Sequence, residues 1–428
     1  MSFRDTLNGK TRLWASLLVG LCCTAIAGEW PRWRGPGCDG SAPPGRYPVK
    51  WAPAEVAWKA PLPGKGCSTP VVLNRRIYLT APVNGLDAVL AFDLNGKLLW
   101  KTTFGPEEPG RHPNASGCNP SPVTDGSGVF VFFKSGTFAA VEPNGTVRWR
   151  FNLIERFGPE RRFWDLGTSP VLTKEHVVFA RMHDGDSWVA AFDKKTGAMA
   201  WKVPRNYETP TEGRQAYTTP IVLTRGGKER ILVWGAHRLT IHDAANGNII
   251  WFCGGFNLEG KRMWPSVATP VVSGDMVIVP CGRADRGQPR LHGIRLGGRG
   301  DVTKNNRVWK RTDAGTFVPS PAAHKGRVYV LSDFGEINCI DPATGKDIWR
   351  GKFPRGRGKF YASPLIAGGH LYAVRERGTL YVVRLGEAFQ LESQIDLSEK
   401  VIASPIAVWN RILIRTDRHL WCIASNVE

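Results

Sequence analysis

Apolar and polar positions along this chain alternate in short runs broken by Gly, Pro and Asp, and no long stretch keeps the helical rhythm of i, i+3, i+4. The clearest run is A-A-F-D-K-K-T-G-A-M-A-W, Ala190 to Trp201. Val189 and Phe192 mark one strand. Asp193 to Gly197 marks a tight turn, because Asp accepts backbone N–H groups and Gly tolerates positive φ. Ala198 to Trp201 is the returning strand. The same hairpin recurs along the chain.

A Ser/Thr-Pro pair opens each unit: Thr69-Pro70, Ser121-Pro122, Ser169-Pro170, Thr219-Pro220, Thr269-Pro270, Ser320-Pro321, Ser363-Pro364 and Ser404-Pro405. The spacings are 52, 48, 50, 50, 51, 43 and 41 residues, a period that indicates an array or a propeller. In the sixth unit the pattern predicts strand A from Ala322, strand B over Arg327 to Leu331, strand C over Glu336 to Ile340, a turn over Asp341 to Gly345, and strand D from Asp347. That is the four-stranded meander of a propeller blade. Strand D carries a Trp at Trp100, Trp149, Trp201, Trp251, Trp309 and Trp349, and the seventh unit (Phe389 to Ile395) lacks one.

The ends predict how the ring closes. The last unit, Ile402 to Ala424, has strands A, B and C only. The missing strand D, V-A-W-K with Trp58, stands ahead of the first unit. The expectation is an all-β, eight-bladed propeller whose last blade is completed by the N-terminal strand, which also hides exposed edges. The strand-D tryptophans are expected to pack between blades with each indole N–H on a backbone partner.

Composition adds a leader. Arg4, Lys10 and Arg12 precede an apolar run, Leu13 to Ala27, which ends in Ala25-Ile26-Ala27. This reads as a secretory signal peptide over 1–27, followed by a Pro/Gly/Trp-rich arm over 28–50, anchored by Trp30 and Trp33, and a single propeller over 51–428. The protein is expected to be exported, to a periplasm or beyond, with no later transmembrane segment and as a monomer. The net charge of +20 falls to about +18 without the leader, which holds three Lys/Arg and one Asp. In an exported protein this charge points to an envelope protein or an anionic ligand or polymer as partner, not to nucleic acid; a merely solvated surface is the plain alternative.

Seven cysteines follow the leader, an odd number too widely scattered for a disulfide framework. Most read as small buried hydrophobes. Cys67 and Cys118 precede strand A in neighbouring blades, so a disulfide between them and two free thiols are both open readings. No metal site is expected. The long connections from strand D to the next Ser/Thr-Pro place Asn119, Arg162, Trp164, Asp165, Gln215, Tyr217, Trp264, Phe317 and Tyr361 as candidates around one mouth of the channel. Arg111, His112, Arg161, Arg214, Lys261, Arg262, Arg357 and Lys359 are near them as basic guards.

The motif A-x-D-x-x-T-G-x-x-x-W at Ala191 to Trp201 resembles the tryptophan-docking repeat of quinoprotein-type eight-bladed propellers. The arm W-P-R-W-R-G-P-G-C-D-G-S and the stretch V-A-W-K-A-P-L-P-G-K-G-C-S-T-P-V-V are similar to the start of secreted bacterial PQQ-binding-like repeat proteins, with an architecture like that of BamB. The resemblance implies either a protein-binding scaffold or a dehydrogenase holding PQQ and Ca²⁺ in the funnel. The chain departs from the dehydrogenase pattern: its only adjacent cysteines, Cys22-Cys23, fall in the leader, and the Ca²⁺-ligand set has no clear match. A non-catalytic binding module with no predicted cofactor is therefore expected, and a PQQ-dependent oxidoreductase is the alternative.

Overall fold

Eight antiparallel sheets form the protein in the computed structural model, which describes residues 28–52 and 54–424. The leader expected over 1–27, with Cys22 and Cys23, lies outside the described residues. Each sheet is a meander ordered A-B-C-D from the channel outward. The third blade has strands Val171–Leu172, His176–Arg181, Trp188–Asp193 and Met199–Pro204. In the sixth blade strands B and C are Arg327–Leu331 and Glu336–Ile340, as predicted, and strand D runs on to Lys352. The eighth blade takes Trp58–Pro61 as its outer strand, with Trp58 opposite Cys422.

The Ser/Thr-Pro pairs have a structural cause. The backbone N–H of each Ser or Thr donates to the hydroxyl of its counterpart in the next blade. The bonds run Thr69 to Ser121, Ser121 to Ser169, Ser169 to Thr219, Thr219 to Thr269, Thr269 to Ser320, Ser320 to Ser363 and Ser363 to Ser404, all at 2.9–3.0 Å. Ser404 closes the circle on Thr69 at 3.3 Å. A hydroxyl side chain accepts that bond from a short reach beside the channel, and each bond satisfies a buried backbone donor.

The tryptophans form an outer set of joints. Trp58, Trp100, Trp149, Trp201, Trp309 and Trp349 donate their indole N–H to the turn of the next blade, at Leu94, Pro143, Lys194, Ala244, Pro342 and Gly386 carbonyls, 2.8–3.1 Å away. The residue across from each Trp is small because the indole lies over it. Ala91, Ala140, Ala191, Gly293, Cys339 and Cys422 take this place. A Cβ on Gly293 would stand 2.2 Å from Trp309. The turn Gly serves the same joint: Gly247 has φ +77°, and a Cβ there would lie 2.5 Å from Trp201. Trp251 is the exception. It is buried, but blade 5 turns late, and Gly300–Asp301 pairs in parallel beside it as a fifth strand of blade 4.

The arm crosses the ring on the face of the A–B hairpins. Trp30, 2% exposed, exchanges backbone bonds with Val72 of blade 1. Arg34 then reaches the Pro321 and Pro364 carbonyls of blades 6 and 7, and Gly40 and Ala42 pair with Ile366. Burial lowers the Arg34 guanidinium to about 10. Its carbonyl partners satisfy its donors without a salt bridge. The arm therefore spans the channel from side to side, with Trp33 turned toward the interior.

Candidate functional site

The opposite face, where D–A loops and B–C hairpins meet, holds a cavity of about 450 Å³. Its floor is the Ser/Thr ring and Trp33. It opens on one side, because the arm bars the other.

The mouth loops are held by cations at the ends of strands B. Arg181 donates to the Phe157 and Gly158 carbonyls, Arg283 to Met263, Arg375 to Pro354 and Gly358, Arg415 to Ser68, and Lys134 to Pro109. Five blades thus use a long basic side chain to pin the backbone of a D–A loop. Burial lowers Arg415 to about 10.

The loop between blades 1 and 2 reaches across the mouth to blade 7. In residues 107–119 the Arg111 and His112 N–H groups donate to Asp165, while the Pro113 carbonyl accepts from both Lys65 and Lys400. Asn114 donates to Glu376 of blade 7 at 2.6 Å. His112 Nδ1 accepts the Asn114 N–H, so its Nε2 carries the proton of the neutral ring. Burial lowers its pKa. The ring lies edge-on to Trp164 at 5.2 Å and 6.3 Å from Tyr361.

Of the residues expected at the mouth, Asn119, Trp164, Asp165, Tyr217, Phe317 and Tyr361 line the cavity, together with Cys67. Asn119 bridges loops by accepting from Ser116 and donating to Leu166. Burial alone would raise Asp165, but the His112 and Arg111 N–H groups and Lys134 at 2.9 Å outweigh it and hold the carboxylate ionised. Burial pushes Tyr217 up to about 12.

Three expected residues stand behind the wall. Arg162 is buried in an ion pair with Glu160 and donates to Met182 O. Gln215 is consumed by Phe163 N–H, Tyr217 and Asp184. Trp264 packs in the core between blades 4 and 5 and donates to Gln288. The basic guards are corrected too. Only His112 and Lys359 of that group line the cavity, whose charges are Asp165, Glu212, Asp285 and Asp333 against Arg283, Arg286 and Lys359. The seven cysteines are all free thiols, so Cys67 and Cys118 are not joined. Cys67 Sγ donates to the Asn114 carbonyl instead.

Sequence reasoning missed Arg283, Asp285, Arg286 and Asp333, which sit on B–C hairpins opening to the same face. Arg283 forks onto Asp285 with two 2.7 Å bonds and covers the Phe317 ring at 4.1 Å. Asp333 accepts from the Phe317 and Val318 N–H groups, yet burial raises it to about 6. Glu212 and Met263 line the cavity with left-handed backbones, φ +64° and +62°.

The donor set does not fit Ca²⁺. Among the described residues no three His, Cys, Asp or Glu side chains converge as a cation cage, and Asp165, Asp285 and Asp333 are already held by protein donors. Among the described residues no helix is long and apolar enough to cross a membrane.

Solved structures share the architecture. BamB from Moraxella catarrhalis has a TM-score of 0.60 at 15% identity, over 84% of this chain and 95% of its own. A europium-containing methanol dehydrogenase gives 0.65 at 10% identity, over 91% and 90%. The quinohemoprotein alcohol dehydrogenase ADHIIG from Pseudomonas putida HK5 gives 0.66 at 11% identity, over 92% and 80%. At these identities the likeness concerns the fold. No curated protein matches the sequence. The family model described as outer membrane protein assembly factor BamB matches residues 47–185, 87–315 and 298–387, most of the chain, and the protein belongs to that family.

Proposed function

We propose that this protein is an exported, non-catalytic binding or scaffold module of the cell envelope, with its ligand or partner segment held in the one-ended funnel. The observation that carries this reading is the funnel itself. It is closed below by the arm and Trp33, lined by aromatic and polar side chains, and pinned by buried cations at strand ends. A pre-formed cavity of a few hundred Å³ with few placed polar groups is the usual form of a binding site. The family description supports an envelope protein as partner, and the basic chain suits anionic surroundings outside the cell. The leader read over 1–27 makes Gly28 the expected first residue of the exported protein.

A PQQ-dependent oxidoreductase is the second reading. It is favoured by the Trp33 indole on the funnel floor and by dehydrogenases among proteins of this fold. Against it stands that Asp165, Asp285 and Asp333 are held by protein donors and that no cation cage forms among the described residues. Titration of the purified protein with PQQ and Ca²⁺, read by Trp fluorescence and by dye-linked alcohol oxidation, separates the two. The binding-module reading expects no saturable quench and no turnover; saturable binding with turnover would overturn it.

A further inference from the structure

The funnel's ligand chemistry can be read from which side chains are spent and which are free. Most of its charges are already neutralised by the protein. Asp165 has two backbone N–H groups and Lys134, Asp333 has two backbone N–H groups, and Asp285 is forked by Arg283. The four carboxylates and three long-chain cations of the lining nearly balance. A strongly anionic guest would meet more carboxylates than long-chain cations there. The aromatic surface is not spent: Trp164 is 45% exposed and Phe163 57% exposed, both at the mouth, and Trp33 forms the floor.

Glu212 stands apart from the other acids. It is only 9% exposed, yet its carboxylate meets no hydrogen-bond donor among the described residues, and burial raises its pKa. Its backbone sits at φ +64°, a conformation that costs a non-glycine residue on the order of 1 kcal/mol or more. Met263, also in the lining, shares this strain at φ +62°, and its N–H bonds Thr211 O beside Glu212. Two strained turns therefore meet on one wall and present an unused acceptor to the cavity.

We infer that the funnel binds a neutral saccharide, its C–H faces on Trp164 and Phe163 and its hydroxyls on Glu212 and the fixed Asp285–Arg283 pair. A sugar ring has one apolar face and a rim of hydroxyls that both donate and accept, so it matches flat aromatic faces beside rigid planar polar groups. It needs no net charge in the site. Hydroxyl donors also supply what the Glu212 carboxylate lacks, a protein or ligand donor at oxygens that face the cavity.

This inference rests on the funnel being a binding site, and the test keeps the two apart. The full exported chain is titrated by calorimetry and Trp fluorescence with cellohexaose, xylohexaose, maltohexaose, laminarihexaose and chitohexaose, and in parallel with 1-naphthoate and hexaglutamate. At least one hexasaccharide is expected to bind with Kd below about 1 mM. Trp164→Ala is expected to weaken it about tenfold. Glu212→Gln keeps the shape and weakens it several-fold, while both variants retain the parent melting temperature. If naphthoate or hexaglutamate binds, sensitive to Trp164→Ala, and no saccharide does, the saccharide inference is overturned and the funnel reading stands. If no probe binds, both are overturned.

Discussion

The inner ring and the mouth of this propeller are built from the same eight units but follow opposite rules. In the ring every blade supplies the same atom to the same bond: a Ser or Thr N–H meets the next hydroxyl, eight times around. At the mouth five blades share a basic side chain at the end of strand B, but the groups turned into the cavity differ from blade to blade. Blade 5 brings Arg283 and Asp285, blade 6 Asp333, and the blade 1–2 loop arches over to Glu376 of blade 7. Identity among units closes a circle, since a single odd member would leave a buried N–H unpaired. Difference among units makes a site, since a ligand without eightfold symmetry needs a lining without it. The comparison also assigns the aromatics. Trp201 is a joint and Trp164 is a surface, although either could be mistaken for the other by residue type.

The largest effect separates those two residues. Trp201→Ala removes the indole between blades 3 and 4 and its bond to Ala244 O, and is expected to cost about 3–5 kcal/mol in denaturant unfolding. Trp164→Ala is expected to change stability by less than about 0.5 kcal/mol, since its ring is half exposed. Equal losses in the two variants would break the comparison.

Next comes the ring. Thr219→Val keeps the side-chain shape but deprives the Ser169 N–H of its acceptor, an expected cost of about 1–3 kcal/mol. At the mouth, Asn114→Ala removes a bond to Glu376 that solvent can replace, with an expected cost under about 1 kcal/mol.

The smallest effect, read as melting temperature against pH, has opposite signs at two places. Burial alone would raise Glu399, but Lys59 of the closing strand, Thr416 and His419 outweigh it and hold its carboxyl at about 2. Its contribution is complete above the ordinary carboxyl range and is lost as pH falls toward 2. Asp87, buried near the mouth with one oxygen unpartnered, is raised by burial to about 7. Its contribution is complete in acid and is lost as pH rises from about 4 to about 7. Glu399→Gln should flatten the acid limb of the profile and Asp87→Asn the neutral limb. An unchanged profile in either variant would remove that carboxylate from the account.

What could be read from the sequence follows the same division. Repetition lets each copy check the others, so the pattern places strands B and C of blade 6 to the residue and marks Trp58 as the piece that completes blade 8. The Ser/Thr-Pro pairs were visible as punctuation, but their bond was not, since it joins residues about 50 apart through a closed ring. The mouth gave partial answers. Non-repeating loops have no period to say which side chains face inward, so Arg162, Gln215 and Trp264 looked equivalent to Asn119 and Tyr217 and are instead buried behind them. The B–C hairpins carrying Arg283, Asp285 and Asp333 are short and unlike one another. The one signal available was a charged residue just after an apolar strand B, as in G-R-A-D and L-S-D.

Amide hydrogen exchange of the native protein tests the division most directly. The ring amides of Thr69, Ser121, Ser169, Thr219, Thr269, Ser320 and Ser363 are expected to exchange only through global unfolding, while those of Arg111, His112, Asn114 and Ala115 over the funnel exchange through local opening, orders of magnitude faster. Ring amides that exchange as readily as those of the mouth loop would contradict it.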